Sequence, residues 1–287
     1  MTQIAFLGTG LLGGALAEAA AKRGDKVAAW NRTIDKARAL EQFGVRVANT
    51  PADAVRGAAR VHLILKDDQV VEDVIAALRP GLDANAIIVD HTTTQPKLTA
   101  ARATRLNGEG VRYIHCPVFI GPAAAREAKG TILSSGPRAL FDAIQPALAK
   151  MAERVEYFGE RPDFAAVIKL SGNAVIIGLS GIVADVLAIG DGAGFTPDET
   201  MKVFGLLNVP AMLAGRGRHM AAGNFTPSFE LTMARKDVRL MLETAVDHPT
   251  PVLSAIADRM DELIDAGRGA DDLAVIGVDS VSNHLSS

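Results

Sequence analysis

An apolar run over residues 3–7 ends at Gly8, and between positions 11 and 23 leucine and alanine recur at helical spacing as far as Lys22 and Arg23. That pattern predicts a strand, a glycine turn and a helix. Further strands are predicted over 26–30, 60–65 and 86–89, and helices over 34–43, 69–78 and 95–107. Strands that alternate with helices imply a parallel sheet covered on both faces. Apolar runs at 112–115, 130–134 and 155–158 predict additional strands that finish this domain near residue 160. After Pro162 the pattern changes. Residues 163–192 contain no proline and predict one long helix, apolar nearly all round, which implies burial against several neighbours. Helical spacing continues over 197–207, 210–221, 231–247 and 251–266, and no strand alternation returns. The segment GERPDF, where polar and helix-breaking residues cluster, divides a mixed domain at 1–161 from an all-helical domain at 162–287. The tail DSVSNHLSS lacks apolar periodicity.

The first turn carries chemistry. Gly8, Thr9, Gly10, Leu11, Leu12 and Gly13 form GTGLLG directly after a strand and at the opening of a helix. Gly8 permits the tight turn, Gly10 lets the backbone approach a pyrophosphate, and Gly13 allows close packing of helix on strand. The helix N-terminus supplies free N–H donors and the positive end of its dipole. The pattern predicts a dinucleotide site. The end of the second strand selects the nucleotide: a carboxylate there would hold a ribose 2′-hydroxyl and repel a 2′-phosphate. This chain has Trp30, Asn31, Arg32 and Thr33, with no carboxylate before Asp35. The expectation is NADP, with Arg32 pairing with the 2′-phosphate and stacking on the adenine while Asn31 and Thr33 donate hydrogen bonds.

Composition narrows the remaining classes. Of 287 residues 48% are hydrophobic and 22% charged, with a net charge of -3. The basic residues are scattered along the sequence, so no nucleic-acid partner is expected. The lone Cys116 excludes an internal disulfide framework and reads as a small buried hydrophobe. No histidine pair has metal-ligand spacing, so no metal is expected. The uncharged stretch 170–184 is too short and too rich in Gly and Ser for a membrane span. The opening segment lacks a basic n-region, so no secretory leader and a cytoplasmic location are expected.

On the long helix Lys169 and Asn173 stand four positions apart and share a face. They lie in VIKLSGNAVIIG, where every neighbour is apolar or small. A lysine in such a stretch either snorkels to water, pairs, or lines a cavity. In the last case it is a proton donor beside a carbonyl oxygen, held by the neighbouring amide.

Several segments, taken in order, make the chain resemble the β-hydroxyacid dehydrogenase family, whose members include 3-hydroxyisobutyrate dehydrogenase, glyoxylate reductase and 6-phosphogluconate dehydrogenase types. GTGLLG is similar to its dinucleotide fingerprint, VDHTTTQP to its threonine and proline loop, CPVFIGP to its substrate loop, and KLSGN to its catalytic helix. FELTMARKD resembles a late helix that returns a lysine to the site, and GRGADDLAVI the C-terminal signature. The resemblance implies an α/β Rossmann-type N-terminal domain joined by a long helix to an all-α C-terminal domain, with dimers or tetramers formed through the helical part; a long helix too hydrophobic for one thin domain to cover predicts a homodimer. It implies Lys169 as proton donor or acceptor for a carbonyl or hydroxyl carbon, Asn173 as the residue that orients it, and Thr93 against the nicotinamide and ribose. Leu65 and Lys66, at the end of the third predicted strand, would contact the cofactor, and Lys236 would approach from the helical side.

The substrate loop departs from the family. Pro117 and Val118 match, but Phe119, Ile120 and Gly121 stand where many members have a serine and two glycines that hold a carboxylate. Losing a hydroxyl and gaining two bulky apolar groups disfavours a small polar hydroxyacid relative to a more apolar carbonyl compound. His91 and His115 are read as polar, noncatalytic residues. Imine reductases share the architecture and generally carry Asp or Tyr at the position of Lys169, which favours carbonyl chemistry here; imine reduction is the alternative. A noncatalytic NADPH-binding scaffold is a third reading, and such a protein is expected to have lost the proton donor.

Overall fold

The structure is a computed structural model, and it describes residues 3–281; most of the polar tail lies outside the described residues. The chain opens with β1 (Gln3–Leu7), α1 (Leu11–Lys22), β2 (Lys26–Trp30), α2 (Ile34–Arg38), β3 (Arg46–Val47), α3 (Pro51–Val55), β4 (Arg60–Leu63), α4 (Asp68–Leu78), β5 (Ile87–Asp90), α5 (Pro96–Gly108) and β6 (Arg112–His115). Among the described residues these strands form a six-stranded sheet in the order β3-β2-β1-β4-β5-β6. Every pairing in it is parallel. Strand order reverses between β1 and β4, which opens a crevice at their carboxyl ends.

Alternation along each strand builds two cores, as expected for a sheet buried on both faces. Ile4, Phe6, Val27, Val89 and Ile114 pack on one face with Leu16 of α1. Ala5, Leu7, Val61, Leu63 and Ile88 pack on the other with Val71, Ile75 and Leu106. Each fully buried large aliphatic side chain contributes roughly 2 kcal/mol. A charged staple crosses the second layer. The buried Arg102 of α5 donates to Asp68 Oδ1 at 2.7 Å and Glu72 Oε1 at 2.8 Å, and its Nη1 lies 3.9 Å from the buried Asp90.

The next segment comprises β7 (Val118–Phe119), α6 (Pro122–Arg126), β8 (Thr131–Ser134), α7 (Arg138–Leu148) and β9 (Arg154–Tyr157). Its strands do not extend the first sheet. They form a separate one, β7-β8-β9, with β7 antiparallel to β8.

A long helix α8 (Phe164–Gly192) follows, and then α9 (Pro197–Met201), α10 (Val209–Ala221), α11 (Leu231–Ala245) and α12 (Pro251–Leu263). The chain divides into two compact units within α8, between Asn173 and Ala174. In the second unit α11 and α12 share a core of Leu231, Ala234, Val238, Ala257, Met260 and Leu263. The C-terminal segment closes it through Asp272, whose buried carboxylate accepts from Ser228 N and Oγ, Phe229 N and Ala274 N at 2.7–3.1 Å.

Several boundaries differ from the sequence reading. The helix predicted over 34–43 stops at Arg38 and resumes as a short 3-10 turn, Glu41–Phe43, that Gly44 ends at φ 79°. The third predicted strand, 60–65, ends at Leu63 and is β4, because the two-residue β3 precedes it. The long helix is not buried within one chain: Val175, Ile176 and Ile177 are 49%, 55% and 70% exposed. Lys169, Asp185 and Asp191 are the charged residues in its 29-residue sequence, and an 18-residue window of α8 has a mean hydropathy of 1.9, long and apolar enough to cross a membrane by length and composition.

Candidate active site

The glycine turn follows β1 at the crevice. Gly8 has φ +94°, and a Cβ there would lie 2.1 Å from the Ile64 carbonyl oxygen; a Cβ on Gly13 would lie 1.9 Å from the Gly8 carbonyl oxygen. Both positions exclude any side chain. Gly10 differs, since a Cβ built on it meets nothing within 4 Å. It is the residue immediately before α1, so the open space lies over the free N–H groups of the first turn. A cleft of about 660 Å³ begins there, lined by Gly8, Gly10, Leu11, Leu12, Gly13 and the corner after β2, with Leu65 and Lys66 on the β4 side. Pro51 of α3 and Val70, Val74 and Ala77 of α4 add an apolar wall. A backbone cradle, an apolar wall and a cationic corner fit a dinucleotide.

That corner is tied down by Asn31. Its Oδ1 accepts from Thr9 N at 3.0 Å and its Nδ2 donates to the Thr33 carbonyl at 2.9 Å. The amide therefore couples the turns after β1 and β2. Arg32 and Thr33 are exposed and line the cleft. Lys36, which the sequence reading did not single out, lines it as well. The spacing of Arg32 and Lys36, four residues apart around the start of a helix, was its available signal. Asp35 pairs with Arg38 at 3.2 Å; the carboxylate lining the cleft is Asp73 of α4.

The loop after β5 presents Thr93 between two anchored neighbours. Thr92 Oγ1 accepts from Leu65 N at 3.0 Å, which joins this loop to the one after β4. Thr94 Oγ1 lies 2.7 Å from Thr99 Oγ1 and 3.2 Å from His115 Nε2. The same His115 nitrogen is 2.9 Å from the Thr92 carbonyl, so it carries the proton and donates. Thr93 itself is exposed. His91 is also buried, its Nε2 2.9 Å from His62 Nδ1 and its ring stacked on that of His62. Both sequence-noted histidines thus brace the loop from inside the protein. Cys116 is buried beside them, and burial pushes its thiol up to about 12.

Lys169 and Asn173 come together as their spacing predicts: Nζ donates to Asn173 Oδ1 at 2.9 Å. The lysine is half-buried, and burial lowers its pKa below the ordinary lysine value. Its Nζ also lies 4.2 Å from the centroid of the Phe119 ring, a cation–π distance. Of the substrate-loop residues, Phe119 reaches this ammonium. Pro117 and Val118 are buried, Ile120 packs against the first core, and the exposed Gly121 precedes α6. Lys236 lies on α11 in the second unit, exposed and paired with Asp237 at 2.8 Å.

Comparison with known proteins agrees with this arrangement. Residues 3–159 match the family model for the NAD binding domain of 6-phosphogluconate dehydrogenase, and residues 165–278 that for the NAD-binding region of NADP-dependent 3-hydroxyisobutyrate dehydrogenase. Glyoxylate/succinic semialdehyde reductase 1 of Arabidopsis thaliana is 28% identical over 86% of this chain and 88% of its own length. The cytokine-like nuclear factor N-PAC of Anopheles gambiae is 26% identical over 95% of this chain, which spans 49% of that longer protein. The fold is shared with an imine reductase from Pseudomonas sp. (TM-score 0.85, 20% identity, 96% and 98% of the two chains). It is shared equally with a reductive aminase from Aspergillus terreus (TM-score 0.85, 22% identity, 98% and 99%). With its nicotinamide-nucleotide domain and helical partner domain both matched, the chain belongs to the β-hydroxyacid dehydrogenase family of oxidoreductases.

Proposed function

We propose that this oxidoreductase uses NADP(H) to interconvert a carbonyl group and an alcohol, with Lys169 as proton donor in reduction and acceptor in oxidation. One observation carries the reading. The Lys169 ammonium is half-buried, hydrogen-bonded to Asn173 at 2.9 Å and set over the Phe119 ring at 4.2 Å. Asn173 engages one of its three N–H bonds, which leaves others to donate to a substrate oxygen. Burial lowers the cost of releasing that proton as negative charge develops on the oxygen. The N–H groups at the start of α1 would hold the pyrophosphate, with Arg32 and Lys36 facing a 2′-phosphate. When bound, the nicotinamide supplies or accepts the hydride. Phe119 gives the site an apolar wall where many relatives offer a hydroxyl, which supports a carbonyl substrate less polar than a short hydroxyacid.

The same apolar ring supports imine reduction as the second reading. An iminium, however, carries a positive charge that the Lys169 ammonium would repel, so the carbonyl reading is preferred.

The test is NADPH oxidation with a panel of aldehydes, ketoacids and cyclic imines, run on the native enzyme and Lys169→Ala. Carbonyl turnover is expected, falling by roughly 10²–10⁴ in a variant that still binds NADPH. Undiminished turnover in the variant would overturn the role of Lys169. Turnover on imines alone would transfer the assignment, and none at all would indicate a binding role.

We also read the exposed apolar face of α8, including Ile176 and Ile177, as covered by a second copy of the chain. Light scattering at micromolar concentration is expected to give a dimer mass; a monomer would contradict this.

A further inference from the structure

At the amino-terminal edge of the six-stranded sheet, opposite the glycine turn, lies a second cavity of about 220 Å³. Its lining includes Arg23 just after α1, Asp25 before β2, Arg60 at the start of β4, and Lys150 and Met151 just after α7. None of its residues lines the dinucleotide cleft. Ile4 of β1 borders it, four residues before Gly8, so roughly 13 Å of strand separates the two.

Three cations meet one carboxylate in this cavity. Among the described residues, neither guanidinium nor the Lys150 ammonium has a side-chain hydrogen bond or an ion pair within 4.0 Å. Arg60 is half-buried, and its Nε is shielded from solvent with no hydrogen-bond partner among the described residues. Three cations that line one cavity without side-chain partners leave donors there for an anion to accept from. Burial lowers the pKa of both Arg23 and Arg60, and the nearby Asp25 only partly offsets it.

A helix-dipole role accounts for Arg23 and Lys150, which stand at the carboxyl ends of α1 and α7. It does not account for Arg60, which opens a strand and lines the same cavity.

We propose that this cavity binds a phosphate dianion, either free or as a small phosphate monoester. Arg60, Arg23 and Lys150 supply the donors and the positive charge around it. Asp25 faces the anion with like charge and weakens it, which gives the site a signature of its own. Arginine pairs suit a tetrahedral oxyanion because each guanidinium offers two parallel N–H bonds.

The experiment is thermal unfolding of the full chain titrated with inorganic phosphate or glycerol 3-phosphate, with chloride holding ionic strength constant. A saturable rise in midpoint is expected. Arg23→Ala/Lys150→Ala should weaken it at least tenfold, Asp25→Asn should tighten it severalfold, and Arg32→Ala should leave it unchanged. A response to phosphate alone identifies the free ion, and a response to both identifies a site open to monoesters. An unchanged midpoint, an equal response in the double variant, or a loss confined to Arg32→Ala would overturn the proposal. The last outcome would place the anion in the cofactor cleft. Should the double variant fail to fold, the sign of the Asp25→Asn response decides.

Discussion

The tip of the Phe119 ring abuts helix α8 at Gly172: a Cβ built on that glycine would sit 2.3 Å from Phe119 Cζ. Position 172 therefore sets how closely the ring approaches the Lys169 ammonium, one turn earlier on the same helix. In Gly172→Ala the ring must move, and because it is the free end of a side chain the stability cost is expected to stay near 1 kcal/mol. Activity is the sensitive readout. We expect kcat/KM to fall about tenfold or more, since small misplacements at a reacting group are amplified. Adding Phe119→Ala should make the Gly172→Ala effect largely disappear. Equal losses in both backgrounds would show that the ring does not transmit it.

A second prediction concerns acid. His91 Nδ1 lies 2.6 Å from the Cys116 carbonyl, so it donates and Nε2 is left to accept from His62. Burial lowers the His91 pKa to about 4, and burial together with His91 holds His62 well below the usual range. Both are neutral when folded at neutral pH, whereas the unfolded chain takes up protons near pH 6.5. Stability is therefore fully present above that value and is lost as pH falls toward the folded pKa. For His91 alone the loss is on the order of 3 kcal/mol. Urea midpoints measured from pH 7.5 to 4 should drop, and His91→Asn should flatten the slope; a flat native profile would refute the neutral stack.

Cofactor choice is tested at the corner after β2. Arg32→Ala and Lys36→Ala are each expected to raise KM for NADPH about tenfold while leaving NADH little changed, because each removes one exposed charge facing a 2′-phosphate. Parallel losses with both cofactors would contradict that assignment.

In the second unit, Asp272 concentrates five hydrogen bonds on one buried carboxylate, one of them from Arg216 Nη1 at 3.3 Å. Burial alone would raise its pKa, but the bonds from Ala274, Ser228 and Phe229 outweigh that and hold it well below the usual carboxylate range. Its contribution is present above about pH 4 and fades as pH falls through the depressed value. Asp272→Ala should destabilise this unit by about 3 kcal/mol, seen as lost hydrogen-exchange protection in α11 and α12. Unchanged protection would show that the loop is held by other contacts.

Local signals were readable from the sequence, and convergent ones were not. Gly8 and Gly13 declared themselves because their constraint is backbone geometry next to a strand, and Lys169 with Asn173 because a helix fixes four-residue spacing. The helix α7 escaped notice, with Pro146 inside it masking the periodicity. β3 and β7 are two residues long and carry no alternation to detect. His62 and His91 are 29 positions apart, and Arg23, Arg60 and Lys150 look scattered until the sheet gathers them. Exposure of α8 was hidden for a different reason, since hydrophobicity announces that a surface wants cover without saying which chain supplies it.

The glycine turn has a consequence for how this protein can diversify. Gly8 and Gly13 admit no added carbon, because each abuts main chain that cannot yield. Arg32 and Thr33, which line the same cleft, project into open water. On the proposed assignment, descendants of this sequence, natural or engineered, are free to rewrite which nucleotide they accept at one exposed corner, while the turn proposed to grip the pyrophosphate stays frozen.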